Sequence, residues 1–240
     1  MERFISACKE LDIELTKEQV LAFQSYYDLL IRWNERMNLT SITEFEEVCN
    51  KHFLDSLSLV KVLSIHSLKG QKLSLLDVGT GAGFPGIPLK ICFPNLQVTL
   101  LDSLNKRLTF LNEVIETLCL KDIVTVHGRA EDFGKDKAYR EQFDLCVSRA
   151  VANLSSLSEL CLPFVKVAGS FISYKAEKGA EELEAAGKAI SLCGGTVLET
   201  KEFMLPGTDY YRFMICIKKT KATPMSYPRK AGLPTKEPLC

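Results

Sequence analysis

Between positions 77 and 86 the chain opens with a carboxylate, Asp77, and then places glycine at 79, 81, 83 and 86. Glycine lets a backbone take positive φ and lets a ligand approach with no Cβ in the way. The flanks give this cluster a context. Leu73 to Val78 is a short apolar run with its one acid near the end, which suits a buried parallel strand. Pro85 stands where a helix has its first turn, and Ile87, Leu89 and Ile91 follow. Strand, glycine turn and helix together are the layout of a nucleotide-cofactor site. Glycine clusters also occur as plain turns, but here all three parts of the context agree.

The loop spells two patterns at once. Gly81, Gly83 and Gly86 form a G-x-G-x-x-G, the fingerprint of dinucleotide binding. Asp77, Gly79, Gly81 and Gly83 form D-x-G-x-G-x-G, the pattern of enzymes that use S-adenosylmethionine. Two features favour the second. An acid ahead of the glycines can accept a hydrogen bond from a ligand's amino group but sits badly beside a pyrophosphate. Phe84-Pro85-Gly86 also brings bulk to the helix entrance, where a pyrophosphate needs free N–H groups.

Further candidates lie at the tips of later strands. Gln97 to Leu101 reads as a second strand ending in Asp102, 23 positions after Gly79 and near the offset at which an acid grips ribose hydroxyls. A third strand, Ile123 to His127, leads into Gly128-Arg129-Ala130-Glu131. A backbone N–H at Ala130 and a carboxylate at Glu131 match the acceptor and amino donor on adenine's edge. Glu131 read alone is equally an ordinary acid in a helix's first turn. The fourth strand, Phe143 to Val147, ends in Ser148-Arg149-Ala150, and an arginine at such a tip lies where ligands of open α/β sheets bind.

These residues need a frame, and alternation supplies it. After Leu73 strands and helices alternate, which implies a parallel sheet with helices on both faces. A helix over Lys106 to Cys119, a fifth strand over Phe171 to Lys175 and a helix over Ala176 to Leu192 continue the pattern. Thr196 to Met204 and Tyr210 to Lys218 then read as a closing antiparallel pair. Residues 1 to about 70 read as helical and as a cap packed on the sheet. Thr16 to Gln19 is a capping box opening a long amphipathic helix to about Met37, with Val20, Phe23, Tyr27, Leu30 and Ile31 on one face. Thr43 to Glu46 reads as a second box. Asn38-Leu39-Thr40 makes a polar turn between the helices, and His52 and Asp55, three apart, share one helix face. Such a pair is structural at least as readily as catalytic. The resulting division is a helical cap over 1–70, a cofactor-binding domain over 71–218, and a basic tail over 219–240.

Composition narrows the partners. The 30 basic and 30 acidic side chains cancel, which argues against a blanket nucleic-acid binder. The balance is uneven, however: six Lys or Arg fall in residues 218–240 against Glu237 alone, in a Pro-rich stretch of little apolar content. That composition predicts a segment that is mobile until it meets an anionic surface, or simply a solubilising tail. No apolar run reaches the ~18 residues of a membrane span, and MERFISACKE has no signal-peptide core. The nine cysteines form no C-x-x-C and sit mostly in apolar runs. They read as buried hydrophobes of a cytoplasmic protein, with no metal expected.

The chain also resembles the bacterial small-subunit ribosomal RNA guanine-N7 methyltransferases, the small-subunit methyltransferase G family once called glucose-inhibited division protein B. The resemblance rests on Asn38-Leu-Thr40, His52-Phe-Leu-Asp-Ser56, DVGTGAGFPGIPLKI at 77–91, Gly128-Arg-Ala-Glu131, the run from Phe143 to Ala152, and Pro228-Arg-Lys-Ala-Gly-Leu-Pro234. Thr80, where serine is also common, is a small departure. The resemblance implies a Rossmann-like, class I S-adenosylmethionine-dependent methyltransferase fold: a mostly parallel seven-stranded sheet with a terminal antiparallel hairpin behind the helical cap. It implies cofactor contacts at Gly79, Phe84, Ala130, Glu131 and Arg149; the residues themselves add Asp77, Gly81 and Asp102. On the RNA side it leaves Asn38, His52, Asp55 and Lys175 as candidates.

The implied reaction is methyl transfer to N7 of one guanine in a loop of 16S rRNA near the decoding centre. The partner is the small subunit or its assembly intermediate, and the protein would act as a monomer. Guanine N7 carries a lone pair and no proton, so no general base is expected. N7 is hidden in the deep groove of A-form RNA, so the target should be an unstacked loop base. Two other classes remain: an NAD-dependent Rossmann oxidoreductase, for which no hydride-transfer site is evident, and a non-catalytic RNA-binding factor that retains a cofactor pocket.

Overall fold

The computed structural model describes residues 1–149 and 151–239; Ala150, named with the fourth strand in the sequence reading, and Cys240 lie outside the described residues. Seven strands form one sheet: β1 Ser74–Val78, β2 Gln97–Asp102, β3 Ile123–His127, β4 Phe143–Arg149, β5 Val165–Lys175, β6 Gly195–Met204 and β7 Tyr211–Lys219. Their order is β3-β2-β1-β4-β5-β7-β6. Neighbours from β3 through β5 pair in parallel, and β7 inserts antiparallel between β5 and β6. The strand order reverses at β1 and β4, so their carboxyl ends open the crevice in which ligands of such sheets bind. The expected seven-stranded, mostly parallel sheet with its antiparallel hairpin is therefore present.

Three elements differ from the sequence reading. β5 starts at Val165, not Phe171, because Val165 pairs with Phe143 before a bulge shifts the register to Leu145 opposite Ser170. The helix expected from Ala176 to Leu192 is two, Gly179–Ala185 and Gly187–Leu192. Ala186 N–H donates to both Glu182 O and Leu183 O, tightening the chain just before Gly187. A helix over Leu154–Cys161, which periodicity did not reveal, opens where the Asn153 side chain accepts from Ser156 N–H.

The N-terminal residues form the cap. Thr16 and Gln19 make the reciprocal capping box that opens Lys17–Met37. The buried face of that helix is rotated from the one expected: Phe23, Tyr26, Leu29 and Leu30 are buried, while Val20, Tyr27 and Ile31 are only half covered. Tyr26 is the reason. Its ring stacks on Phe53 and Phe110, and its hydroxyl donates to Ala82 O in the glycine loop. The second capping box does not form. Glu44 precedes the helix Phe45–Val48 without a side-chain cap, and Glu46 pairs with Arg3 instead. That helix continues through a π-helical turn, Cys49–Leu54, into Asp55–Leu57. The cap shares one apolar cluster with the helices Gly86–Cys92 and Asn105–Thr117, so it is continuous with one face of the sheet.

The C-terminal stretch is packed, which corrects the expectation of a free basic tail. Lys219 ends β7 fully buried, donating to Leu162 O and Thr223 Oγ1. Arg140 donates to Thr223 O, Pro224 O and Tyr227 O, and Arg229 grips the buried Glu159 carboxylate. Two of the tail's cations thus meet buried acceptors, a pairing that composition cannot show. Among the described residues no helix is long and apolar enough to cross a membrane.

Candidate functional site

β1 delivers its chain into the glycine loop, and β2 holds the loop down. Gly79 N–H and Thr80 N–H both donate to Leu101 O, at 2.8 and 3.2 Å. Gly81 N–H donates to Asp102 Oδ2 at 2.9 Å. Asp77 lies beneath the loop, fully buried, with Oδ2 accepting from Thr80 Oγ1 at 2.7 Å and from Gly86 N–H at 2.8 Å. Its other oxygen, Oδ1, is buried without a partner among the described residues. Burial pushes this carboxyl up to about 6, against the lowering effect of Thr80 and Gly86.

The glycines serve different ends. A Cβ on Gly83 would meet the Tyr26 hydroxyl at 2.6 Å, and one on Gly86 would collide with Leu100 and Asp77. Both positions are small so that helix, strand and cap can pack. Gly81 has φ +61 and nothing nearer to its Cβ position than Gly79 O at 4.0 Å. Its open side belongs to the cavity.

That cavity, about 540 Å³, lies over the tips of β1, β2 and β4. Gly79, Gly81, Phe84, Asp102, Ala130, Glu131 and Arg149 all line it, so the structure brings together every sequence-derived cofactor candidate except Asp77, which stands behind the loop. Asp102 already accepts from Gly81 N–H, from Leu104 N–H at 2.9 Å, and from Arg107 Nη1 at 3.2 Å. Arg107, on the helix after β2, was not singled out in the sequence; its position five residues past an expected ribose acid was the available signal. Glu131 Oε1 accepts from Gly232 N–H at 2.7 Å, which draws the C-terminal stretch to the site.

A second cavity, about 640 Å³, adjoins the first and shares His52, Arg149 and Val151 with it. Asp55 is its centre of charge. Oδ2 accepts from Arg149 Nη1 at 2.6 Å and Oδ1 from Arg212 Nε at 2.6 Å. Arg149 also donates to Lys51 O, and its guanidinium lies 5.2 Å from the centre of the Phe84 ring. His52 stacks on Phe84 at 4.5 Å. His52 Nδ1 lies between a donor, Arg149 Nη2 at 3.2 Å, and an acceptor, Lys51 O at 3.1 Å. Its Nε2 is hydrogen-bonded with Thr40 Oγ1, 2.9 Å away. Burial first, and then Arg149, push the imidazole down to about 4, so it is neutral at pH 7.

Lys175 lines this groove and pairs with Glu182 at 2.7 Å. Asn38 lines neither cavity: it ends the long cap helix at φ +48 with its N–H on Asn34 O. Arg212, on β7, was missed because nothing around it in sequence hints that it reaches Asp55.

The first cavity suits a nucleoside with a cationic amino group. Its volume is that of small-ligand pockets. Gly81 leaves the approach open, and the orphaned Asp77 Oδ1 is a buried acceptor short of a donor. A pyrophosphate fits less well at the helix entrance, where Gly86 N–H is already held by Asp77 and Ile87 N–H by Gly83 O.

Comparison with known proteins agrees. The family model described as rRNA small subunit methyltransferase G matches residues 19–209. A protein of Lachnoclostridium phytofermentans named Ribosomal RNA small subunit methyltransferase G is 57% identical over 236 residues, covering 98% of this chain and 96% of its own. One of that name from Staphylococcus aureus is 53% identical, covering 96% and 95%. Among solved structures, a SAM dependent methyltransferase from Aquifex aeolicus superposes with TM-score 0.55 at 19% identity, over 75% of this chain and 96% of that one. At that identity the likeness concerns the fold.

Proposed function

The chain belongs to the rRNA small subunit methyltransferase G family, and on that premise we propose that it transfers a methyl group from S-adenosylmethionine to N7 of a guanine in 16S rRNA. One observation carries the reading. The cavity over the glycine loop and the charged groove beside it share the wall formed by His52, Arg149 and Val151. A ligand in the first can therefore meet a base held in the second.

S-adenosylmethionine, when bound, supplies a methyl already activated on a sulfonium. What remains for the chain is to place a nucleophile in line, at about 3–3.5 Å. Gly79 and Gly81 give the backbone surface, Asp77 a buried negative charge behind it, Asp102 the ribose side, and Ala130 with Glu131 the adenine edge. Guanine N7 has no proton to lose, so none of these residues acts as a base. The ring gains positive charge as it is methylated, so cations pressed against it would hinder. Asp55 answers that need by holding Arg149 and Arg212 on its own carboxylate. Arg149 is thereby placed to meet phosphate or the cofactor's carboxylate. His52, Asp55 and Lys175 form the RNA side, with Asn38 shaping the turn beside them.

The substrate is an unstacked loop guanine of the small subunit or an assembly intermediate, and the enzyme works in the cytoplasm as a monomer. Incubation with labelled S-adenosylmethionine and small-subunit particles at several assembly stages, followed by mapping of the modified nucleotide, tests this. Label on guanine N7 of 16S rRNA is expected. Absence of transfer would leave only a cofactor-retaining RNA-binding factor, and binding of NAD in place of S-adenosylhomocysteine in titration calorimetry would end the reading altogether.

A further inference from the structure

The C-terminal stretch reaches the cofactor cavity, and one short helix fastens it there. Glu159, on Leu154–Cys161, is fully buried and accepts from Arg229 N–H at 2.7 Å, from Nε at 3.0 Å to each oxygen, and from Nη2 at 2.8 Å. Arg229 Nη2 also closes on Glu237 O at 2.7 Å, so the stretch is folded back on its own anchor. Ser156, three residues before Glu159 and on the same helix face, donates to Pro234 O at 2.8 Å. Between these tethers lies Gly232, whose N–H donates to Glu131 Oε1, and just past the second is Thr235, which lines the cavity.

A buried ion pair is a poor source of net stability, since desolvation offsets much of its attraction, but it does fix geometry. Here the geometry it fixes is that of a site carboxylate. With Oε1 held by Gly232, the Glu131 side chain is committed to one orientation, and Oε2 has no partner among the described residues.

Resting on the reading that Glu131 meets the adenine edge, we propose that residues Arg229–Lys236 are a positioning strap for purine recognition. The Glu159–Arg229 pair and the Ser156–Pro234 bond hold Gly232 where it aims Glu131 Oε2 at the amino group of the bound purine. Arg229, Ser156 and Glu159 are thus positioning residues, acting through Glu131. The family motif Pro228 to Pro234, which no step of the chemistry uses, acquires a role in this way.

The test measures discrimination, because a strap that only added stability would weaken every ligand alike. Full-length protein is titrated calorimetrically with S-adenosylhomocysteine and with its analogue lacking the purine 6-amino group. The native protein should prefer the adenine compound by roughly tenfold, as expected for one charge-assisted hydrogen bond. Arg229→Lys keeps the charge but loses the two-pronged grip, and its preference should fall to about threefold or less while the thermal transition remains cooperative. Ser156→Ala, which leaves the buried pair intact, reads the same ratio should Arg229→Lys fail to fold. Equal weakening of both ligands in these variants, with the ratio kept, overturns the strap. Glu131→Ala separates the two ideas: a ratio unchanged by that substitution overturns the adenine reading itself, whereas a ratio lost there but kept in the strap variants overturns the strap alone.

Discussion

The two cavities that share His52, Arg149 and Val151 are built from different materials. The one over the glycine loop takes five consecutive residues, Val78 to Ala82, from that loop, with Gly128 and Ala130 opposite and the charged Asp102, Arg107, Arg129, Glu131 and Arg149 around them. The neighbouring groove is side chain. Lys51, His52 and Asp55 come from the cap, Arg149 from β4, Lys175 from β5, and Arg212 from β7. A backbone cradle needs one continuous stretch with the right φ angles and no Cβ in the way, so a single loop can encode it. A groove of paired charges has to be assembled from four distant segments. The first should tolerate changes that ruin the second, and the reverse.

Substitution within the loop gives the largest effect. Gly81→Val turns a side chain into the open cavity at a positive φ, and should lower S-adenosylhomocysteine affinity at least ~100-fold while the protein still melts cooperatively. Gly83→Val, facing Tyr26, Ile87 and Leu111, should instead cost the fold. Calorimetry beside thermal melts reads both, and a Gly81→Val protein that binds normally would show the pocket is misplaced.

Next comes the groove. Asp55→Asn removes the charge that holds Arg149 and Arg212, and should slow methyl transfer to small subunits by about 10–100-fold while cofactor affinity changes less than ~3-fold. Loss of cofactor binding in step with rate would mean that the two cavities act as one.

A pH effect is smaller. Asp77 is pushed up to about 6 by burial, so near pH 5 it is mostly neutral and near pH 7 mostly ionised. The ionised form is the one that favours a cationic amino group, so affinity for S-adenosylmethionine should rise as pH climbs through 6. Asp77→Asn should flatten that rise, as measured by titration across pH 5 to 7.5. A slope that survives in the variant would assign the titration elsewhere.

The weakest effect belongs to the exposed cations that remain in the C-terminal stretch, Lys221, Lys230 and Lys236. Changing all three to Gln should reduce the salt slope of RNA binding by roughly two units and leave cofactor affinity alone. Deleting the whole stretch would not isolate this effect, since it would also strip Arg229 from the buried Glu159.

Several features were legible because they are local. The Thr16 capping box, the strand–glycine–helix unit and the acids at strand tips each lie within a few residues of chain, where spacing and backbone chemistry suffice. Tyr26 was not legible, since a long helix with apolar residues on adjacent rows leaves open which row faces in, and only the Phe53 and Phe110 rings with the Ala82 carbonyl decide it. The tail was misjudged for a related reason. Its lysines and arginines look solvated in sequence, and the buried carboxylate that claims Arg229 lies 70 residues away.

By itself, then, the sequence determined the parallel sheet, the glycine loop and the residues along its rim, because short-range periodicity and glycine's missing Cβ act through neighbouring positions. The tertiary structure alone decided that Asp77 lies behind the loop, that Asp55 collects two arginines, and that the basic C-terminus becomes part of the site wall. Each of those depends on desolvated charges finding partners across the fold, and a charge's partner is fixed by where the chain returns in space.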